Sequence, residues 1–253
     1  KVIIYSDREH AANFSYLAGF GPRFEEGLLI VGLSGTPQAV LGTENIDMIR
    51  YTVADLEGIH FPTFSLIGQP RENVKALTEI LKGAGLEQGM TVGTVGWKYY
   101  GPNDGCAPDS IEIPHYLAEA IREVVGEPSG GEGGTDQDSR VKNATCLFMS
   151  PHDGLRVVLE PEQIIVFEYA ACLVARSMLA LMDNIDAGKT ELELAAWFQN
   201  RGVPLSVHPM LSTGEKARFG LVSPTDRGEI RGFSDNSIWD RRSTLLSSRI
   251  HRP

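Results

Sequence analysis

The chain is poor in cysteine, in basic charge and in uninterrupted apolar sequence, and each shortage removes a class of protein. Cys106, Cys146 and Cys172 are odd in number, widely spaced and without a CxxC pair, so neither a disulfide framework nor a zinc ribbon is indicated. The expectation is three buried free thiols in a reducing cytosol. Lys and Arg number 23 against 33 Asp and Glu, a net charge of −10, with a pI near 5.1. Without clustered cations a chain does not displace the counterions of a polynucleotide, so no nucleic-acid partner is expected. No apolar run reaches about 18 residues free of charge. Ile164 to Met182 comes closest but is broken by Glu168 and Arg176, and no membrane span is expected. The chain opens at Lys1 on a strand-like run, with nothing that resembles a signal peptide; a leader lost before Lys1 is compatible with this start, and a cytoplasmic location is the expectation.

Generic catalytic signatures are also missing. There is no HExxH and no GxxxxGK[ST]; Gly32-Leu33-Ser34-Gly35 begins like a nucleophile elbow, but Thr36 stands where its last glycine belongs. Histidines at 10, 60, 115, 152, 208 and 251 include no i, i+4 pair, so no helix-borne metal site is expected. His208, before Pro209 and between two apolar runs, is the one candidate substrate-binding residue, because an imidazole on a strand in a pocket can titrate and position a ligand.

What is present is an ordinary globular balance: 253 residues, 42% hydrophobic and 22% charged, enough for two domains. The first half alternates strands and helices, which predicts an α/β layer architecture. Val2 to Tyr5 reads as a strand, and Ser6-Asp7-Arg8-Glu9 as a capping box opening a helix to Ala18, closed by Gly19. Leu28 to Gly32 and Gln38 to Leu41 read as a hairpin around Ser34-Gly35-Thr36-Pro37, and Thr63 to Ile67 as a further strand. Glu72 to Lys82 has the spacing of an amphipathic helix, Thr91 to Val95 is a buried-type strand, and Pro114 opens a helix to about Val125. Gly126 to Asp138 is a glycine-rich loop, and Ala144 to Met149 a strand returning to the first sheet, which places a domain boundary near Asp153.

Pro161 begins the longest helix. Its polar pairs Glu162/Gln163, Arg176/Ser177 and Asp183/Asn184 fall at multiples of seven, leaving an apolar circumference that predicts burial on more than one side. Thr190-Glu191-Leu192-Glu193 is a second capping box, opening a helix to Asn200 that ends at Gly202. Val207 to Ser212 and Phe219 to Ser223 read as strands, and Pro224 to Gly228 as a turn.

Read as a whole, the second half resembles a known family. It runs from Leu155-Arg156-Val157-Val158 and Glu160 to Gln163 through Glu168-Tyr169-Ala170-Ala171. Next come Ile185-Asp186-Ala187-Gly188-Lys189-Thr190-Glu191-Leu192-Glu193-Leu194-Ala195, Pro209 to Gly214, Ser223-Pro224-Thr225-Asp226-Arg227 and Ile230-Arg231-Gly232. This order resembles the pita-bread metallopeptidase superfamily of aminopeptidase P, prolidase and creatinase. The amino-terminal half resembles that superfamily's creatinase-type domain, through Asp7-Arg8-Glu9-His10-Ala11-Ala12-Asn13-Phe14 and Leu17-Ala18-Gly19-Phe20. The implied fold is α/β: a creatinase-type amino-terminal domain with a mixed sheet and flanking helices over residues 1–153, then the incomplete start of a pita-bread α+β domain over 154–232.

The resemblance implies a metal-dependent Xaa-Pro peptidase holding two divalent ions, Mn, Co or Zn, with two Asp, one His and two Glu. Those positions would follow Gly232 and none is in this chain; Leu221 stands where a substrate-side histidine is expected. The chain itself is therefore expected to have no catalytic residue, no metal ligand and no cofactor. From Phe233 to Pro253 five Ser and four Arg face two Asp, a charge reversal with no period, which predicts an aberrant, poorly packed tail. A reading-frame change near Gly232 accounts for it, the alternative being a genuine variant tail. The functional expectation is an inactive fragment of an Xaa-Pro aminopeptidase or dipeptidase-like hydrolase whose parent takes proline-containing peptides. The alternative is a non-catalytic relative that binds a small amide or peptide or serves as an oligomerisation module. A homodimer is expected either way, with Val174, Met178 and Leu181 of the long helix left uncovered.

Overall fold

Two adjacent apolar side chains on one strand point to opposite faces, so runs such as Ile3-Ile4 and Leu28-Leu29-Ile30 demand a sheet covered on both sides. The computed structural model supplies it, describing residues 1–127, 139–198, 202–203, 205, 207–220 and 222–226. The chain divides into two units, Lys1–Leu159 and Glu160–Arg252.

The first unit is a six-stranded mixed sheet in the order β4-β3-β2-β1-β5-β6. Its strands are β1 (Val2–Ser6), β2 (Gly27–Val31), β3 (Gln38–Leu41), β4 (Glu57–His60), β5 (Val92–Val95) and β6 (Val141–Asn143). β2 runs antiparallel to β1 and β3, with Tyr5 opposite Leu28, while β1/β5, β3/β4 and β5/β6 are parallel. Ile3, Tyr5, Leu28, Ile30 and Val40 pack on one face against Ile80 and Leu81 of α2 (Leu77–Gly83) and Leu117, Ile121 and Val125 of α3 (His115–Val125). Ile4, Leu29, Ala39, Leu41 and Val95 pack on the other against Phe14 and Ala18 of α1 (Ala12–Ala18) and Phe148 of α4 (Cys146–Met149). The predicted hairpin, the strand at 91–95 and the helix after Pro114 are all present.

Several local expectations are displaced. Ser6 ends β1 instead of capping a helix, and Asp7 takes the amides of Glu9 and His10, so α1 starts only at Ala12. Thr63 to Ile67 is not a strand: Pro62 opens a 3-10 turn through Phe64, and the sheet edge is Glu57–His60. The helix expected from Glu72 starts at Leu77. The return strand is Val141–Asn143, and Cys146–Met149 is helical, because Asn143 and Thr145 turn the chain: the Asn143 side chain accepts from the Thr145 amide at 2.8 Å. All three cysteines are free and exposed, not buried. The glycine-rich stretch from 128 to 138 lies outside the described residues.

The second unit begins with α5 (Pro161–Asp183), whose amino terminus is closed by a capping box between Glu160 and Gln163. The expected burial on several sides is not observed. Leu181 alone is buried on α5, meeting Leu194 and Leu211 in a small cluster with Met178, Ile185 and Phe198 at its margin. Leu181, expected to be uncovered, is therefore the anchor of that cluster, and Val174 and Met178 are half-buried. By length and composition α5 also meets the requirement of a membrane span, with a mean hydropathy of 1.8 in spite of Glu168 and Arg176. α6 (Glu191–Ala195) is shorter than expected and carries the predicted Thr190/Glu193 capping box. Among the described residues of 207–212 and 219–223 there is no strand. Their recorded backbone pairing is the Leu211 amide on the Val222 carbonyl at 3.2 Å, and a lone two-strand contact is marginal in water. The expected helix end at Asn200, Leu221, the end of the turn at Gly228 and the tail 233–253 lie outside the described residues.

Candidate functional site

The carboxyl ends of β1 and β5, adjacent and parallel, bring the chain's chemistry-bearing residues of the first unit together. Asp7 leaves β1 in a tight turn: its Oδ1 accepts the Glu9 and His10 amides at 2.8 Å each and meets the His10 Nδ1 at 2.9 Å. Burial would raise the Asp7 carboxyl, but the bonds from the His10 ring and the two amides outweigh it and hold the group below its ordinary value. The His10 ring stacks on Trp97, just beyond β5, at 4.0 Å between centroids.

Glu112, ahead of α3, caps the same loop by accepting the Trp97 and Lys98 amides at 2.7 Å each through Oε2. Its Oε1 is buried without a partner among the described residues, and burial pushes its carboxyl above the ordinary range against the pull of those two amides. Gly96 makes this approach possible, since a Cβ there would lie on the Glu112 carbonyl. Below this loop, Tyr5 Oη donates to Glu26 at 3.1 Å and to Asp7 at 3.2 Å, and Tyr116 Oη donates to the same Glu26 oxygen at 2.8 Å. Burial and the Glu26 charge raise both phenols, which stay protonated as donors. Asn13 completes the assembly, donating to the Gly96 carbonyl at 2.6 Å and accepting from Arg156 at 2.8 Å.

The Asp7 to Asn13 segment that carries the family resemblance in the first half is thus a positioning device whose side chains tie β1, β5 and the end of the unit together. Trp97, Glu112 and Tyr116 carry no signal of their own in the sequence, and His10 enters it only as one of the scattered histidines and within the Asp7 to Phe14 segment. The reason is separation: Trp97 reaches His10 and Tyr116 reaches Glu26 across about 90 residues, while Glu112 joins through a loop 15 residues beyond Trp97.

In the second unit the hub is Glu191. Its buried carboxylate accepts the Thr213 amide and hydroxyl at 2.7 and 2.9 Å, Lys216 Nζ at 2.5 Å and the Thr225 amide at 3.0 Å. Burial opposes the charge, but Lys216 and the threonine donors prevail and the carboxyl is held below its ordinary value. Thr190-Glu191 therefore matters as a knot joining α6 to residues 213 and 225. His208 lies at its margin: it is exposed, and its Nε2 is 3.1 Å from the Ser223 hydroxyl, while the Ser223 carbonyl accepts from Lys216. A nucleophilic pair also needs a group that orients the imidazole and donors for an oxyanion, and no such group is recorded around His208 among the described residues.

Neither assembly fits a divalent metal pair. Among the described residues no group of three or more His, Cys, Asp or Glu stands so as to hold a metal ion. Both carboxylate oxygens of Asp7 and of Glu191, and Oε1 of Glu26, already accept from protein donors.

No family model matches the chain, and no curated protein matches it by sequence. Solved structures do. The prolidase of Pyrococcus furiosus superposes with a TM-score of 0.58 at 17% identity, covering 91% of this chain and 54% of that one. The Xaa-Pro aminopeptidase of Thermotoga maritima gives 0.60 at 14%, covering 91% and 53%, and a dipeptidase of Mycobacterium ulcerans gives 0.54 at 14%, covering 91% and 52%. The chain spans about half the length of the solved structures it matches. At these identities the likeness speaks to the fold: the chain has the α/β fold of the amino-terminal portion of prolidase-type Xaa-Pro peptidases.

Proposed function

We propose that this chain is the non-catalytic, amino-terminal part of an Xaa-Pro aminopeptidase or dipeptidase-like hydrolase, residing in the cytoplasm, where exposed thiols such as Cys106, Cys146 and Cys172 stay reduced. The superposition of 91% of the chain on about half of each prolidase-type structure carries the reading. It is supported by the engagement of Asp7, Glu26, Glu112 and Glu191 in internal hydrogen bonds, which leaves them as scaffold. In a full-length parent the substrate would be a proline-containing peptide and the cofactor a pair of Mn, Co or Zn ions held by residues that this chain does not contain. The 253-residue chain is expected to show no cleavage of an Xaa-Pro dipeptide with added Mn2+ or Co2+. Turnover abolished by EDTA would overturn the reading.

A second reading, a non-catalytic relative that binds a small amide or peptide, draws on the exposed His208–Ser223 pair. Isothermal titration with a Gly-Pro dipeptide separates the two. Binding to the chain that disappears in His208→Ala favours the second, and no detectable heat favours the first.

A further inference from the structure

Two Asp-Gly pairs occur in the chain, Asp104–Gly105 and Asp153–Gly154, both in the first unit, and there is no Asn-Gly pair. In such a pair the glycine amide nitrogen can attack the side-chain carboxyl of the residue before it, since glycine carries no side chain to shield that nitrogen. The attack needs an amide free of an acceptor and a backbone free to bring the nitrogen to Cγ. The two pairs share their chemistry and differ in their surroundings.

Gly154 is buried and held. Its amide donates to the Ser150 carbonyl at 2.9 Å, the Asp153 carboxylate accepts from the Ser150 hydroxyl, and a Cβ on Gly154 would lie 2.6 Å from the Phe148 carbonyl oxygen. Gly105 lies in the long connection from β5 to α3, exposed among the described residues and at a φ of 72°. Its amide has no acceptor among the described residues, and a Cβ there would meet nothing within 4 Å. The Asp104 carboxylate is kept at the same turn, its Oδ2 accepting the Gly101 amide at 2.6 Å. Backbone with few hydrogen bonds opens at the lowest cost. The Gly105 nitrogen therefore reaches Asp104 Cγ without giving up an amide hydrogen bond, whereas the Gly154 nitrogen must first leave Ser150.

We propose that Asp104–Gly105 is a self-modification site at which the chain isomerises to isoaspartate, and that the fold shields Asp153–Gly154 from the same change. The Gly105 nitrogen bonds to Cγ of the Asp104 carboxylic acid, the amide proton and the acid's hydroxyl leave as water, and a succinimide ring closes. Water then adds at the Asp104 main-chain carbonyl carbon, the bond from that carbon to the Gly105 nitrogen breaks, and the main chain runs on through Cγ. Nothing is oxidised or reduced, and the mass is unchanged. The product lengthens the loop backbone by one atom and removes the side-chain carboxylate that holds Gly101. It also creates a free α-carboxylate, the acceptor group for a carboxyl methyltransferase with a sulfonium methyl donor. The site stands on this loop alone, whether or not the Xaa-Pro reading holds.

Ageing the full chain in mildly acidic buffer for weeks and digesting it with trypsin places the two sites on separate peptides, 99–122 and 143–156. Isoaspartyl methyltransferase with labelled S-adenosylmethionine reports the product, and electron-transfer fragmentation tells Asp104 from Asp109 on the first peptide. Peptide 99–122 is expected to take up label at Asp104, roughly tenfold or more above peptide 143–156. In urea the two peptides should label alike, because the fold makes the difference. Asp104→Glu keeps a carboxylate but would need a larger ring, and should abolish the label at that position. Asp104→Asn should convert faster, with the mass gain of an amide becoming an acid. Three results would overturn the proposal: equal labelling of the two peptides in the folded chain, label confined to Asp109 or Asp153, or no label in the aged folded chain. A ratio in urea as high as in the folded chain would overturn the shielding of Asp153–Gly154.

Discussion

The two units are built from similar kinds of element and held by different means. Lys1–Leu159 buries both faces of a six-stranded sheet under helices, so each strand residue between Ile3 and Tyr5 reports on one of two cores. Among the described residues of Glu160–Arg252 there is one small cluster around Leu181, Leu194 and Leu211, together with a buried carboxylate and two capping boxes. Apolar burial scales with area, at roughly 25 cal/mol per Å2, whereas a hydrogen-bonded knot nets only about 1 kcal/mol per bond. The first unit should therefore fold by itself and the second should open first.

The sharpest break in the comparison is a core deletion. Ile4→Ala, at a side chain with no exposed surface, should cost about 2–5 kcal/mol and lower the main melting transition, while Leu194→Ala should leave that transition in place and speed amide exchange only within 160–226. If both move one common transition, the units are a single cooperative body. Gly96→Ala comes next. The added methyl meets the Glu112 carbonyl, so a loss of about 1–3 kcal/mol is expected in the first unit, seen as a lower denaturation midpoint with an unchanged slope.

A pH titration separates the units from the other side. Glu191 is held below its ordinary value of 4.5, so its contribution is fully present above that pH and is lost as the pH falls through the lower, folded value. Acid should thus loosen the second unit first. Glu191→Gln, costing about 1–3 kcal/mol, should abolish that acid-sensitive step in exchange measurements without altering the main melt. The smallest expected effect is spectroscopic. The His10 ring stacks on the Trp97 indole, so Trp97 emission, isolated by subtracting a Trp97→Phe chain, should change in His10→Gln at constant pH while the main melt stays in place.

Local rules carried a good part of the first unit into view. Val2 to Tyr5, the 28–41 hairpin, Pro114 before α3 and Gly19 after α1 are each specified by neighbours within a few residues: apolar continuity, turn residues, a fixed proline φ, and a glycine at φ 77°. The same holds for Pro161 and the Thr190 capping box. Where a residue had two local uses, the sequence could not choose between them. Ser6-Asp7-Arg8-Glu9 satisfies the form of a capping box, yet pairing of β1 with β2 and β5 claims Ser6 for the sheet and leaves Asp7 to make the turn.

Sequence by itself determined the alternation of strand and helix, the starts of α3 and α5, the seven-residue spacing of the polar pairs on α5 and the absence of a recognisable catalytic motif, because these depend on short spacings along the chain. Only the tertiary structure decided that Asp7, His10, Trp97, Glu112, Glu26 and Tyr116 form one assembly, that Glu191 is a buried hub, and that Leu181 is covered while Leu179 is bare. Those outcomes are set by the order in which six strands pair and by what remains to cover each helix, and no local pattern encodes a pairing between residues about 90 positions apart.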